Sequence, residues 1–361
     1  MQEENAVPDM PYELDYIPVG SGKKSGDAIV LRFGNLTGPR TEQTIVVIDG
    51  GFQDSGEKIV DHLATYYNTS EVDMIICTHP DADHVSGLLV VLEKCTVTNL
   101  LIHKPWEHGD EIKNLFKNGR ITGSGLSNRL EKALQHASDL ESAARIKGVK
   151  IVEPFQGVNW LSGSMLVLGP SLEYYAALLT LFRSTPSPID ALAKLLQPIQ
   201  QAAEEVINWI EDKLEIDLLD DDIDKTSAEN NSSAIVLFNI DGHKLLFTGD
   251  AGKTSLLAAA DYAEASGISL QDLKVLDVPH HGSKRNLSSR VLKRIKASMA
   301  LISASGDWDK HPAKKVTNAL KKHGARVYVN RKSILHHHHE APERVGWVTA
   351  TEEAFHDKVE E

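Results

Sequence analysis

The chain has 361 residues, of which 41% are hydrophobic and 25% are charged, the composition of an ordinary folded protein with a sizeable core. Its two cysteines are too few for a disulfide framework or a cysteine-rich zinc site. No run approaches the roughly 18 apolar residues that span a bilayer. The acidic start also lacks the features of a secretory signal, so we expect a cytoplasmic protein without a membrane partner.

The charge of the chain is unevenly distributed. The formal net charge is −13, yet the segment from Lys284 to Lys332 holds fourteen basic residues and two acidic ones, which gives it +12 and leaves −25 elsewhere. Such a segment is compatible with an anionic substrate. Helices with solvated basic faces produce the same count without any partner, so the alternative stays open.

The first half of the chain alternates predicted strands and helices, with no internal repeat. Runs of β-branched and apolar residues between Gly-containing turns predict strands, and a longer amphipathic run predicts a helix. In chain order these are strands at 27–33 and 44–49, which we expect to pair, a helix at 57–67, and strands at 72–78, 150–152 and 165–168.

A helical insertion is predicted at about 171–224. Its apolar residues recur at helical spacing through Val206, Ile207, Ile210 and Leu214. We interpret the helices at 171–219 as packing on the main domain or on themselves. A protein partner, self-association or a substrate lid are the alternatives. The acidic run 220–224 that ends the insertion is interpreted as a solvated linker.

The second half of the chain returns to alternating strands and helices. An Asp241-Gly242 turn joins two predicted strands, at 234–240 and 244–247. A strand at 273–278, a helix at 290–296, a strand at 300–303 and a helix after Pro312 follow. The four consecutive histidines at 336–339 are interpreted as a solvated loop within a C-terminal extension at about 333–361.

The strongest functional signal is the run from Thr78 to Gly87, directly after a predicted strand. Four metal-binding side chains fall within six residues, namely His79, Asp81, Asp83 and His84. In this spacing His79 and Asp81 can serve one ion while Asp83 and His84 serve a second. Imidazole and carboxylate are the ligands expected for catalytic zinc, manganese or iron. A capped helix N-terminus would explain Asp83 alone and neither histidine.

This run resembles the HxHxDH signature of the metallo-β-lactamase superfamily, with Asp81 in place of the second histidine. It is similar in particular to the hydrolase domain of bacterial DNA-uptake (competence) channel proteins. Further short motifs follow the order of the family: Ser25-Gly-Asp27, Val47-Ile-Asp49-Gly-Gly51, Asn230-Asn-Ser-Ser233, Leu246-Phe-Thr-Gly-Asp250, Val278-Pro-His-His-Gly-Ser283 and His311-Pro312. The resemblance implies an α/β (α+β) fold, the four-layer αββα sandwich with metals at one edge, as a single domain over 1–361.

The resemblance also implies roles for individual residues. Asp250 falls where the superfamily places the carboxylate that bridges two metals. His281 falls where the last ligand histidine is expected, with His280 beside it as an alternative ligand or a substrate contact. Asp49 lies where the family has a residue that holds a ligand histidine or its loop by hydrogen bonds. An ordinary strand-ending turn is the alternative for Asp49.

One predicted ligand departs from the superfamily pattern. Many members carry a histidine about 19 residues before the late acidic ligand, and here that position is Asn231. With Asn231 in place, the first ion would have one imidazole, two carboxylates and an amide, which favours manganese or magnesium over zinc. The alternative is that Asn231 only forms a turn. The predicted metal ligands are therefore His79, Asp81, Asp83, His84, Asn231, Asp250 and His281.

Two metals that share a hydroxide supply a nucleophile at neutral pH, which indicates hydrolysis. Lys284 and Arg285, together with a helix capped by Ser288 or Asn286, favour an anion near the metals and are the candidate substrate-binding groups. His311 matches a family position near the site, where it would stabilise the transition state or protonate the leaving oxygen. It could instead simply precede a helix. The candidate catalytic residues are Asp83, His280 and His311.

The leading hypothesis is a metal-dependent phosphodiesterase or nuclease that acts on DNA, with two divalent ions as cofactors. Manganese or zinc is expected, and magnesium is a further alternative. The choice of DNA rests on the analogy with DNA-uptake hydrolase domains. A small-molecule phosphodiesterase or esterase is the first alternative function. A non-catalytic metal-binding regulatory protein is the second.

Overall fold

A computed structural model describes residues 10–20, 24–190, 192, 209–213, 218–219, 224–306 and 310–360. Two large mixed sheets form its centre. The first runs, in spatial order, through β15 (Leu335–His339), β1 (Tyr12–Tyr16), β2 (Ala28–Gly34), β3 (Gln43–Gly50), β4 (Glu71–Ile76), β5 (Thr96–Leu101) and β6 (Lys150–Val152). The second runs through β14 (Arg326–Asn330), β13 (Ala297–Ser303), β12 (Leu273–Asp277), β11 (His243–Phe247), β10 (Ile235–Ile240), β8 (Met165–Gly169) and β7 (Asn159–Trp160).

Helices cover the outer face of each sheet. Those that pack on the first sheet include α1 (Gln53–Tyr66), α2 (Ala82–Lys94), α4 (Gly123–Ala133), α5 (Gln135–Ile146) and α6 (Leu172–Leu179), with the short α3 (Gly109–Ile112) and α7 (Ala228–Asn231) beside them. Those on the second sheet are α8 (Lys253–Ala265), α9 (Ser289–Arg294) and α10 (Lys314–Lys322). Among the helices of the described ranges, none has both the length and the apolar character needed to cross a membrane.

Three buried apolar clusters separate the layers. One lies between the two sheets, and one lies under each helical layer. Strand β1 shows how the sequence divides them: Tyr12, Leu14 and Tyr16 join the cluster between the sheets, while the alternate Asp15 contacts α1. The predicted four-layer αββα sandwich is confirmed.

The predicted strands and helices are found close to their expected bounds. Strands β2 and β3 pair antiparallel, as expected, and β10 pairs with β11 across Asp241 and Gly242. Both turn residues have positive φ, 49° and 88°, which is the conformation that an Asp-Gly hairpin turn requires. Strand β1 was not predicted, although Tyr12, Leu14 and Tyr16 alternate with Glu13 and Asp15 as in a strand.

The prediction of a solvated loop at the four histidines is wrong. Residues Leu335–His339 form strand β15, which pairs antiparallel with β1. Four identical residues carry no apolar alternation, so the pattern that signals a strand is missing from this sequence. In the structure, successive histidines face opposite sides of the sheet and have different partners. His336 contacts the buried Asp15, while His337 contacts Tyr12.

The helical prediction for 171–219 is only partly confirmed. Helix α6 lies at the start of this range, but Ile210 belongs to strand β9 (Trp209–Glu211), which pairs with β16 (Lys358–Glu360). The predicted stripe residues Val206, Ile207 and Leu214 lie outside the described residues. The insertion is thus joined to the C-terminal extension by a two-stranded ribbon, a long-range pairing that helical spacing could not reveal.

The last residue of the acidic run is not part of a solvated linker. Asp224 is buried, and its carboxylate accepts hydrogen bonds from the backbone N–H groups of Thr226 at 2.9 Å and Thr254 at 2.8 Å. Helix α8 begins after Gly252, which has no side chain to cap it. Asp224 therefore stabilises the first turn of α8 from a distant part of the sequence. The rest of the acidic run, 220–223, lies outside the described residues.

Candidate metal centre

Most of the predicted ligands converge at one edge of the sandwich, just after the ends of central strands from both sheets. Asp49 lies at the end of β3, His79 follows β4, Asp250 follows β11 and His281 follows β12. Three of the residues here have left-handed backbone conformations, with φ of 53° at Asp49, 50° at His280 and 56° at His281. Such strained backbone persists where the surrounding structure fixes it, and it is concentrated at functional sites.

Helix α2, which carries His84, is held unusually close to the turn after β3. The N–H of Gly87 donates to the carbonyl of Gly51 at 2.9 Å. A Cβ atom at Gly87 would lie 1.9 Å from the carbonyl oxygen of Gly50, closer than any side chain permits. The glycine at the end of the motif is thus required for the close packing that brings His84 to the site.

Asp250 lies at the centre of four imidazole rings. Its Oδ1 atom faces Nε2 of His84 at 3.5 Å and Nε2 of His281 at 3.9 Å. Its Oδ2 atom faces Nε2 of His79 at 3.8 Å and Nε2 of His280 at 3.5 Å. Each carboxylate oxygen is therefore directed at its own pair of histidines, the arrangement expected of a carboxylate that bridges two ions.

The charges of the site act strongly on one another. Burial alone would raise the pKa of Asp250, but the charges of the surrounding histidines, His280 and His84 foremost, lower it to about 2. Burial opposes the charged form of His281, yet Asp27 and Asp250 raise its pKa to about 9. Burial and the charge of His84 hold the pKa of His79 well below its usual value. The histidines and the central carboxylate thus form one coupled electrostatic unit.

Two carboxylates lie behind the histidines, on the side away from Asp250. Asp49 accepts from Nδ1 of His84 at 2.7 Å and from the N–H and hydroxyl of Thr78 at 2.8 and 2.6 Å. Asp27 lies with its Oδ1 atom 3.5 Å from Nδ1 of His281. Carboxylates in this position fix the orientation of a metal-binding imidazole and leave Nε2 for the ion. Asp27 stands in a motif that the sequence made visible, but no role was predicted for it.

The donor atoms fit a metal site. Nε2 of His79, Nε2 of His84 and Oδ1 of Asp250 are all buried, and none has a hydrogen-bond partner. Unpartnered buried polar atoms are costly unless something else binds them. Candidate ligand atoms of Asp83, His84 and His281 lie within 4.8 Å of one another, and those of Asp27, Asp250 and His281 do the same. A divalent cation would satisfy these atoms together.

A sequence model of the metallo-β-lactamase superfamily matches residues 37–306, about three quarters of the chain. The chain belongs to the metallo-β-lactamase superfamily. The superfamily predicted from the motifs is therefore confirmed. Its members generally bind two divalent metals, and the residue groups at the edge of this sandwich are candidates for that role.

Comparisons with individual proteins are more distant. The chain is 33% identical over 84 residues to Recombination protein 2 of Haemophilus influenzae, a match that spans 23% of this chain and only 10% of that protein. A diphosphatase of the PhnP family has a TM-score of 0.43 at 12% identity, covering 91% of this chain and 98% of that one. A long-form RNase Z from yeast has a TM-score of 0.36 at 12% identity, covering 83% and 38%.

In this member of the metallo-β-lactamase superfamily, the contact with Asp49 gives a first prediction. Changing Asp49 to Asn is expected to weaken metal binding about 10- to 100-fold, because the amide cannot hold His84 and Thr78 as the carboxylate does. Metal titration followed by calorimetry measures the change. The matched control is the exposed Asp54→Asn on α1, which should bind metal like the wild type. Equal affinities for the two variants would contradict the role of Asp49.

The aspartates of the motif occupy different positions. Asp83 is half-buried in the first turn of α2, with a ligand atom within reach of His84 and His281. Asp81 lies at the rim, with its Oδ2 atom 3.6 Å from the guanidinium of Arg183. Burial and the charge of Asp83 raise the pKa of Asp81 to about 6. Asp81 is thus beside the centre but outside the tightest ligand groups.

The structure does not bring Asn231 to the centre. Its side-chain amide is engaged elsewhere, since the nitrogen donates to the carbonyl of Thr226 at 3.2 Å and the oxygen accepts from the Ser255 hydroxyl at 2.7 Å. The preceding residue, Asn230, takes the place expected for it: its amide nitrogen donates to Oδ2 of Asp250 at 3.1 Å. The spacing of 19 residues before Asp250 identified the correct turn of helix α7. The side chain that reaches Asp250 belongs to the residue before the predicted one.

The two asparagines are expected to give different phenotypes. Asn230→Ala should lower turnover about tenfold with little change in stability, because it removes a hydrogen bond to the central carboxylate. Asn231→Ala should lower the free energy of unfolding by about 1–3 kcal/mol, because the carbonyl of Thr226 loses its side-chain donor and the Ser255 hydroxyl keeps only the backbone carbonyl of residue 231 as acceptor there. Steady-state kinetics and urea denaturation measure the two effects, with the exposed Asn114→Ala as control. Loss of turnover in Asn231→Ala, with loss of stability in Asn230→Ala, would indicate that Asn231 is the residue that acts at the centre.

His280 and His311 line the more open side of the centre. Their rings lie nearly parallel, with centroids 5.8 Å apart. The buried Asn286 holds His280 from behind, because its Oδ1 atom lies 3.2 Å from Nδ1 of His280 while its amide donates to the carbonyl of Asp250 at 2.9 Å. The residue that caps α9 is Ser288, whose hydroxyl accepts from the N–H of Val291. Of the two predicted caps, Ser288 is therefore the one that caps the helix, and Asn286 positions His280.

The basic segment is divided between several surfaces. Lys284 and Arg285 are half-buried on the loop after His281, and burial together with nearby histidines, Lys310 and Arg285 lowers the pKa of His311 to about 2. Four of the other cations pair with acidic residues from the rest of the chain. These pairs are Arg294 with Asp261 and Glu264, Lys321 with Glu352, Lys322 with Asp212, and Arg331 with Glu353. These pairs neutralise part of the positive charge of the basic segment.

Proposed function

We propose that this protein is a metal-dependent phosphodiesterase that cleaves nucleic acid, with DNA as its substrate, at a two-metal centre. The observation that carries the proposal is the position of Asp250, which directs one carboxylate oxygen at His84 and His281 and the other at His79 and His280. A single structural ion would need only one of these two pairs of histidines. Two groups that share a central carboxylate support a catalytic pair.

The chemistry of the donors narrows the choice of metal. Asp83, His84, His281 and Oδ1 of Asp250 would hold one ion, and His79, His280 and Oδ2 of Asp250 would hold the other. Asp81 would complete the second set. Imidazoles mixed with carboxylates suit zinc, manganese and iron better than magnesium. We therefore propose two zinc or two manganese ions. Because Asn231 lies away from the centre, it gives no reason to prefer manganese or magnesium over zinc.

The metal pair would supply an activated water at neutral pH and stabilise negative charge on the phosphoryl group. Asp83 is half-buried beside His84, where its carboxylate would accept a proton from that water. With its pKa near 2, His311 is neutral at physiological pH. It would therefore donate a hydrogen bond to a phosphoryl oxygen rather than deliver a proton as an imidazolium.

The surroundings of the centre support an anionic substrate. Lys284 and Arg285 follow His281 on the same loop, and Lys310 directly precedes His311, so basic residues lie beside the open side of the centre. A neutral ester would gain nothing from these cations, whereas a phosphodiester would gain attraction in the ground state and in the transition state. The short sequence match to Recombination protein 2 supports DNA among the phosphodiesters.

Cleavage of end-labelled DNA by the purified protein tests the proposal. Single- and double-stranded substrates are incubated with Mn²⁺, Zn²⁺ or Mg²⁺, beside Asp83→Asn and Asp250→Ala. The exposed Asp139→Asn on α5 serves as the matched control. We expect metal-dependent cutting by the wild type and Asp139→Asn, and none by the other two variants. Cutting that persists in Asp250→Ala would contradict the proposed centre.

A small-molecule phosphodiesterase is the second candidate. The observation that favours it is the pairing of four cations from the basic segment with acidic side chains, which leaves less surface for a long polyanion. Hydrolysis of bis-p-nitrophenyl phosphate in the absence of any DNA cleavage would support this candidate. Faster cleavage of DNA than of the small diester would support the nuclease.

A further inference from the structure

A second cationic position lies on the rim of the centre, apart from the basic residues near His311. Arg183 follows helix α6, in the insertion, and its guanidinium lies 3.6 Å from the carboxylate of Asp81. More than half of its side chain, 59%, is exposed to solvent. An arginine in this place presents a permanent positive charge beside the loop that carries His79.

The buried Glu229 holds Arg183 in place. Its Oε1 atom accepts from the backbone N–H of Arg183 at 2.7 Å and from Nε at 3.2 Å. Glu229 is on the same short helix as Asn230, which contacts Asp250. Arg183 is thus connected to the centre through adjacent residues of α7. Its Nε faces Glu229 and a terminal nitrogen faces Asp81, while 59% of the side chain remains exposed to solvent.

The backbone around Arg183 is also anchored. The preceding Phe182 is buried in the apolar cluster under the first sheet. A few residues later, the carbonyl of Ser187 accepts from the N–H of Lys117, and the N–H of Ile189 donates to Leu115. An anchored arginine loses little entropy when it binds a ligand, so it is better suited to recognition than an arginine on an unsupported side chain.

The two cationic positions flank different residues of the centre. Arg183 contacts Asp81, whereas Lys284 and Arg285 lie on the loop that follows His281. A small diester at the metals has one phosphate and cannot engage both positions fully. A nucleic acid strand carries a phosphate at every nucleotide, so a neighbouring phosphate can reach Arg183 while the scissile phosphate occupies the metals.

We propose that Arg183 is a substrate-positioning residue that binds a phosphate next to the scissile one and so favours a polymeric substrate over a small diester. The inference rests on the proposed phosphodiesterase function and deepens it. The guanidinium offers paired N–H donors to phosphate oxygens, a geometry that lysine does not reproduce.

Arg183→Gln, Arg183→Lys and the exposed control Arg129→Gln are compared with the wild type on a single-stranded oligonucleotide and on bis-p-nitrophenyl phosphate. For Arg183→Gln we expect KM for the oligonucleotide to rise about tenfold with kcat within about twofold, because a charge-assisted contact is lost outside the reacting group. Its kcat/KM for the small diester should stay within about twofold. Arg183→Lys should show an intermediate KM.

The dependence on salt gives a second readout. In Arg183→Gln, the slope of log kcat/KM for the oligonucleotide against log salt should become shallower by about 0.7, the value for one lost phosphate contact on a single strand. Metal content, measured by mass spectrometry, should remain at the wild-type value in all variants. The control Arg129→Gln should match the wild type in every measurement.

Three results would overturn the inference. One is an unchanged KM for the oligonucleotide in Arg183→Gln. Another is an equal loss on both substrates. The third is a fall in metal content, which would mean that Arg183 acts by orienting Asp81. If the wild type cleaves neither substrate, the proposed function fails as well, and that outcome is distinguishable because it does not depend on the variants.

Discussion

Replacing Asp250 by Asn is expected to lower kcat/KM for phosphodiester cleavage by about a thousandfold or more, equivalent to about 4 kcal/mol of transition-state stabilisation. The amide is almost isosteric, so the fold should tolerate it, but it has no negative charge to place between four imidazoles. We also expect fewer than two metals per chain. Steady-state kinetics and metal analysis of the purified variant measure both effects.

The control for this experiment is Asp139→Asn, which changes one exposed carboxylate on α5 by the same substitution. It should retain wild-type kinetics and metal content. If Asp250→Asn kept more than about a tenth of the wild-type kcat/KM with both metals bound, Asp250 would not bridge a catalytic pair. The four histidines would then need another explanation.

The second large effect concerns stability and lies far from the metals. Asp15, on the outer face of β1, is fully buried. It accepts hydrogen bonds from His62 at 3.0 Å, Tyr67 at 2.6 Å and His336 at 2.8 Å. Arg344 adds two more, each at 2.8 Å. This carboxylate therefore ties α1, β15 and the segment around Arg344 to strand β1.

Changing Asp15 to Asn is expected to lower the free energy of unfolding by about 3 kcal/mol. The substitution leaves the mostly buried guanidinium of Arg344 without its main counter-charge, although Glu13 still lies 3.2 Å away. Urea denaturation measures the loss, and Asp139→Asn again provides the control. In the double variant Asp15→Asn with Arg344→Met, part of the loss should be recovered because the unpaired charge is gone. A loss below about 1 kcal/mol in the single variant would contradict this role.

The same carboxylate should make stability depend on pH. Burial opposes ionisation of Asp15, but hydrogen bonds from His336, His62 and Arg344 outweigh it and hold its pKa well below the usual value. Because the pKa is about 3.9 in the unfolded chain, the stabilisation is complete above that pH and is lost as the pH falls toward the folded pKa. Below about pH 4, the wild type should lose stability more steeply than Asp15→Asn.

The sequence predicted the parts of the site that depend on local pattern. His79, Asp83 and His84 lie within one strand–loop–helix unit, so their positions follow from a strand end and the first turn of a helix. Asp250 and His281 were placed by motifs that end other strands. These predictions depended on recognising short segments, and each segment keeps its local geometry in the fold.

Other parts of the site depend on contacts between distant segments, which a single sequence does not encode in any visible period. Asn230 differs from Asn231 only in which side of a short helix faces Asp250. Arg183 reaches Asp81 from a segment about a hundred residues away. Strand β15 is defined by pairing with β1, more than three hundred residues earlier, and not by its own residues. Tertiary contacts decided each of these cases.

Titration of the metal-free protein with Mn²⁺, followed by electron paramagnetic resonance, tests the two-metal centre most directly. We expect two ions per chain and the spectrum of an exchange-coupled pair, because one carboxylate would link them. Asp139→Asn should give the same spectrum, and Asp250→Ala should lose the coupling. A single uncoupled ion in the wild type, or a coupled pair that survives in Asp250→Ala, would contradict a centre built around Asp250.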